Sequence, residues 1–216
     1  MGRGPVGAPA IIRYVDNSLN LVTDVSGSDG SLTLIKTATA SSDSTIVFVN
    51  GSNDVVLDDT YPIYKFMFFN IHPQTDNKNF QVNFSVDTGS NYNVSKTTTW
   101  FRPNHSENDT YTGLNYVTGC DLGNATGVQI ISQGDGNEND ESCSGYMVLY
   151  DPANTTFIKH FMCQINQKAK YPESITTFVS GFCNTTSAID AVQFTYSSGN
   201  IDLGDICLYG LTIWQE

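Results

Sequence analysis

From Leu32 onward, apolar side chains recur with a period near two, in short runs separated by Gly, Asn, Asp and Ser. SLTLIKTATAS alternates, and STIVFVNG is a short apolar run closed by the turn pair Asn50-Gly51. YPIYKFMFFNIHP carries bulk on both sides: Tyr64, Phe66 and Phe68 against Ile63, Met67, Phe69 and Ile71. That pattern predicts a central strand covered on both faces, partly by loops or by a neighbouring subunit. In NFQVNFSVDTG, Phe80, Val82, Phe84 and Val86 oppose Gln81, Asn83, Ser85 and Asp87, which predicts a half-exposed antiparallel strand. Phe101 to Ser144 is a polar middle with weaker strand patterns at Leu114–Thr118 and Val128–Ser132. GYMVLYDP, TFIKHFMCQIN, ITTFVSGFCNTT, AVQFTYSSG and DICLYGLTIW then follow at roughly ten-residue spacing.

Many short strands at such spacing predict an all-β fold, an antiparallel jelly-roll-like β-sandwich over residues 31–216. Helical amphipathic patterns, heptads and solenoid repeats are absent from the sequence. Residues 1–30 differ. They hold Pro5, Pro9, a short apolar run at Ala10–Ile12 and the polar SGSDGS stretch at Ser26–Ser31. This predicts an extended N-terminal arm and linker with little core of its own.

Composition supports the fold class. Of 216 residues, 12% are aromatic and only 15% charged, well under the roughly 25% of ordinary globular domains. Aromatics and Thr suit a pleated, half-buried surface. The net charge is −12, with no basic run, so no nucleic-acid partner is expected. The acidity would repel a negatively charged polymer. No apolar run approaches 18 residues, and MGRGPVGAPAIIRYV lacks the apolar core of a signal peptide. Val6 also stands where N-myristoylation wants Ser or Thr. No membrane association is expected. The five cysteines are odd in number and form no CxxC pair, so they read as small buried hydrophobes in a reducing compartment. The eight N-x-S/T sequons read as chance in a chain rich in Asn, Ser and Thr.

Candidate chemistry is thin. In SQGDGNENDES, Asp135, Asn137 and Asn139 match the first ligand positions of an EF-hand loop. Asp140 stands where the loop needs Gly, however, and Tyr146 where it needs the bidentate Glu. The stretch reads as a solvated hairpin end, with a looser calcium site between strands as the alternative. His72 reads as a turn residue, and His160 as part of a packed or half-buried face; with His105, they show no metal spacing. GxSxG, HExxH and GxxxxGK[ST] are all missing, and no spacing singles out a pair of carboxylates. No enzyme, metal site or cofactor is expected.

The C-terminal third carries a resemblance. GYMVLYDPANTTFIKHFMCQ, followed by FVSGFCNTTSAIDAVQFTYSSGNIDLGDICLYGL with its TTSAID link, SSGNI turn and closing strand, resembles a family of tailed-bacteriophage virion proteins common among marine phages. LIKTATASSDSTIVF, YKFMFFNIHPQTDN and FSVDTGSNYN are similar to its first half, so the likeness runs from Ser31 to Leu211. It implies a structural protein of the virion surface, assembled in host cytoplasm, foremost a capsid-decorating or head-associated one. A tail-fibre or receptor-binding appendage is the second reading, and a carbohydrate-binding or carbohydrate-cleaving module the third. The implied partners are other virion proteins of capsid or tail and copies of itself, a trimer suiting either site, with a host surface glycan for an appendage. The arm lies outside the likeness. Its Arg3, Ile11, Ile12, Arg13 and Tyr14 form a basic, apolar end on an acidic protein and read as the virion-docking residues.

Overall fold

The computed structural model describes residues 32–212, and within them the chain forms twelve strands and no helix. The arm expected over residues 1–30 lies outside the described residues. Four antiparallel pairings organise the strands. β1 (Leu32–Thr39) pairs with β12 (Ile201–Leu211), and β2 (Ile46–Val49) with β11 (Ala191–Tyr196). β3 (Ile63–Pro73) pairs with β8 (Ser142–Tyr150), and β4 (Lys78–Ser85) with β7 (Gln129–Asp135). The two halves of the chain thus run back along each other as one long ribbon, which folds over so that successive pairs fall in alternate sheets.

Two hairpins interrupt the ribbon. β5 (Lys96–Ser106) and β6 (Thr112–Tyr116) lie between β4 and β7; β9 (Lys159–Lys168) and β10 (Glu173–Cys183) lie between β8 and β11. β9 adds to β8, and β10 pairs with β5. One sheet therefore grows to eight strands in the order β1-β12-β3-β8-β9-β10-β5-β6, while the other stays at four, β2-β11-β4-β7. The molecule is an antiparallel β-sandwich with unequal sheets.

Where the sheets face each other the core is aromatic. The Phe194 ring sits 5.3–6.2 Å from those of Phe48, Phe66, Phe68 and Phe80, all of them buried. Most of these contacts are edge-to-face, the geometry that the ring quadrupole favours. Ser197–Asn200 does not close a hairpin. It carries the chain from β11 in the small sheet to β12 in the large one. Gly199 has φ +75° there and Thr75 packs against its α-carbon, so a side chain is excluded twice over.

Three expectations need correction. The polar middle hides a full strand, β5, because its inward side chains include Lys96, Thr98, Arg102 and Asn104 and so break the apolar alternation. Pro103 also argues against a strand. Ile71 faces the core and not the outer side, because a bulge between Phe68 and Ile71, with Asn70 at φ +50°, reverses the alternation. β4 is not half-exposed: Asn83 and Ser85 are buried, and Asn83 Nδ2 donates to Tyr92 O and Thr126 O of the loops laid over it.

Candidate functional site

Arg3, Ile11, Ile12, Arg13 and Tyr14 lie outside the described residues. The acidic stretch is only partly a solvated hairpin end. Asp135 closes β7 and is 1% exposed, with Ser132 Oγ donating to its Oδ1 (2.6 Å) and Tyr196 Oη to its Oδ2 (3.0 Å). Burial pushes its carboxyl up to about 6, against the pull of those two hydrogen bonds. Glu141 is also buried, and its Oε2 accepts from the Glu138 amide. Glu138, Asn139 and Asp140 are exposed as expected, Asp140 paired with Lys168 at 2.9 Å. Among the described residues no group of three or more His, Cys, Asp or Glu is placed to hold a metal ion.

His72 belongs to β3 and not to a turn; Glu138 O lies 3.3 Å from its Nε2. His160 is exposed on the outer face of β9, near Phe182, because the inward positions of that strand are Lys159, Phe161, Cys163 and Ile165. All five cysteines are buried. Burial holds the thiols of Cys143 and Cys163 well above their ordinary range.

The two features with functional geometry lie on the two faces of the enlarged sheet. The first is its underside. β10, β5 and β6 lie at and beyond the edge of the small sheet, whose last strand, β7, covers them only in part. The edge of β7 and the loops around it close part of the gap. Trp100 Nε1 donates to Ile130 O (3.0 Å), and Gln129 Nε2 to Cys120 O (2.9 Å). Lys96 Nζ donates to Val94 O (2.7 Å) and to Asn83 Oδ1 (2.6 Å). Burial lowers the Lys96 ammonium to about 8. The uncovered remainder is a cleft of about 490 Å³. Arg102 and Asn104 of β5 with Glu173 and Ile175 of β10 line one side. Asn77, Asn79, Gln133 and Gly134, from the ends of β4 and β7, line the other. Tyr111 and Tyr171, 47% and 65% exposed, stand at the rim. The Arg102 guanidinium lies 5.7 Å from the centre of the Trp100 ring. Its Nε has no hydrogen-bond partner, and it forms no ion pair among the described residues.

The second feature is the outer face. One row crosses all eight strands: Tyr116, Phe101, Phe178, Gln164, Tyr146, Met67, Cys207 and Thr37. Phe101 and Phe178 stack at 4.9 Å with planes 7° apart. The next row holds Thr99, Ser180, Met162, Val148, Lys65, Tyr209 and Leu34. Lys65 is the sole charged residue of the two rows, and its ammonium sits 4.5 Å over the Tyr146 ring. Met162 is 50% and Phe101 39% exposed, and between them lies a shallow hollow of about 210 Å³.

Neither feature was visible in the sequence, because both depend on which residues share a face across β5, β9 and β10. A faint signal existed: Arg102 is the one Arg beyond residue 13, set beside two aromatics. Comparison with protein-family models, with curated proteins and with solved structures finds no match.

Proposed function

We propose that the protein is a non-catalytic structural component of a virion surface, foremost a capsid-decorating one, and that it works through contacts between copies of itself and other virion proteins. We read its ribbon winding as that of a jelly roll: four nested antiparallel pairs alternate between two sheets, with two hairpins added to one edge. The observation that carries the proposal is the outer face of the enlarged sheet. A chain of net charge −12 repels its own copies wherever its carboxylates would meet. Here it presents two sheet-wide rows of aromatic, aliphatic and neutral polar side chains with one lysine. Eight strands at about 4.8 Å spacing, carrying two outward rows about 7 Å apart, make roughly 500 Å². That is the scale of a small interface, under about 600 Å² per partner. The occupant we assign to this face is a second copy of the chain.

Sedimentation of the purified protein at tens of micromolar tests this. The wild type is expected to be oligomeric, and Met162→Glu and Phe101→Glu to release monomers with an unchanged melting temperature. A monomeric wild type would remove the interface. On particles, a chain lacking residues 1–25 is expected to fold but not to incorporate. Normal copy number of that truncation would move the attachment from the arm to the sandwich. Imaging of labelled copies on intact virions tests the head position against the tail.

A further inference from the structure

We infer that the cleft beneath the overhanging strands is a binding site for a neutral saccharide. Its volume of about 490 Å³ lies within the range of small-ligand pockets, roughly 300–1,000 Å³. Its lining matches sugar chemistry. Each hydroxyl of a sugar both donates and accepts, and the carboxamides of Asn77, Asn79 and Gln133 do the same. Arg102 adds the N–H donors at the end of its guanidinium, which lies 5.7 Å from the centre of the Trp100 ring, while its Nε is buried and unpartnered. Glu173 adds acceptor oxygens, one of them taken by Asn104 Nδ2 at 3.0 Å. Tyr171 at the rim offers a ring on which the apolar C–H face of a pyranose can lie.

The charge selects among ligands. Arg102 and Glu173 cancel within the cleft, while the chain as a whole carries −12. An anionic polymer meets long-range repulsion and a carboxylate in the site, so a neutral sugar is the better fit. A mainly apolar ligand is excluded by a lining in which Ile175 and Ala169 are the aliphatic side chains. The site arises because the large sheet outruns the small one, so the Arg102–Asn104 end of β5 and the Glu173–Ile175 end of β10 are left to line a cleft. It does not depend on the assembly reading: a monomer that binds sugar leaves it standing, and an oligomer that binds none removes it.

The test is titration calorimetry of the full chain against neutral tetrasaccharides of glucose, galactose, mannose and N-acetylglucosamine, with a uronic-acid tetrasaccharide as the anionic control. At least one neutral sugar is expected to bind, with an affinity unchanged between low and high salt. Arg102→Gln is expected to weaken it about tenfold, the loss of hydrogen bonds to a charged donor, with an unchanged melting temperature. Tyr171→Ala, at an exposed position that does not bear on folding, is expected to weaken it about threefold. If Arg102→Gln fails to fold, Tyr171→Ala decides. Absence of binding across the panel, affinity that survives both substitutions, or preference for the uronate overturns the assignment.

Discussion

The space beneath the enlarged sheet is filled in two different ways. Under β12, β3 and β8, where the small sheet lies opposite, it holds Phe48, Phe66, Phe68, Phe80 and Phe194. Under β10 and β5 it holds Lys96, Thr98, Thr177 and, from the edge of the small sheet, Gln129, beside Trp100, Val179 and Cys183. The difference follows from what forms the lid. A sheet satisfies its own backbone within its ladders and can offer purely apolar side chains. A loop brings unpaired carbonyls, and each one buried without a donor costs about 1–3 kcal/mol. Buried polar side chains are the donors for those carbonyls: Lys96 of β5 for Val94 O, Gln129 at the edge of β7 for Cys120 O, and Lys159 of β9 for Phe157 O.

The largest expected effect breaks the aromatic half. Phe194→Ala is expected to cost about 3–5 kcal/mol in denaturant unfolding, since it empties the contact shared by four other rings. A cost near 1 kcal/mol would mean that the two sheets close around the gap.

The pH dependence contrasts the ends of the two regions. Asp135, buried beside Tyr196, has its carboxyl raised from 3.8 to about 6. The folded state therefore holds this proton more tightly than the unfolded one. The stability it contributes is fully present below about pH 4 and falls by about 2–3 kcal/mol as pH rises through 6. Asp135→Asn is expected to remove that fall, seen as a flatter profile of unfolding free energy between pH 4 and 7. Lys96 under the overhang has the opposite sign. Its ammonium is lowered from 10.5 to about 8, so its contribution is present above about 10.5 and lost as pH falls through 8. Lys96→Met is expected to flatten the alkaline side only.

Gln129→Leu sharpens the contrast at constant size. In an aromatic core, replacing an amide by an aliphatic side chain would stabilise. Here it leaves Cys120 O without its donor and the Thr98 hydroxyl proton without its acceptor, and is expected to cost about 1–3 kcal/mol by thermal unfolding. A neutral outcome would show that loop carbonyls do not impose the polar filling. The smallest effect belongs to Asp140→Asn, at an exposed ion pair with Lys168, where no measurable change in melting temperature is expected, with or without EDTA. A rise of several degrees on adding calcium would restore a metal site to the acidic stretch.

The alternation of apolar residues by itself determined the fold class and most strands, because a side-chain period of two is a local property of extended backbone. It placed Phe66, Phe68, Phe80 and Phe84 inward, as found. It failed at β5, whose inward residues are polar because a loop covers them, and at Ile71, where a bulge shifts the phase. It also misjudged Asp135, whose burial comes from Tyr196, 61 residues away. Which strands pair was decided by tertiary structure alone. The ribbon joins β1 to β12 and β4 to β7 across long stretches of chain, and two separate hairpins meet at β10 and β5 to widen one sheet. The cleft and the wide outer face with its one lysine exist only because of that widening, and no local pattern encodes it: each strand specifies its own two faces, while the neighbour at its edge is chosen by the packing of the whole.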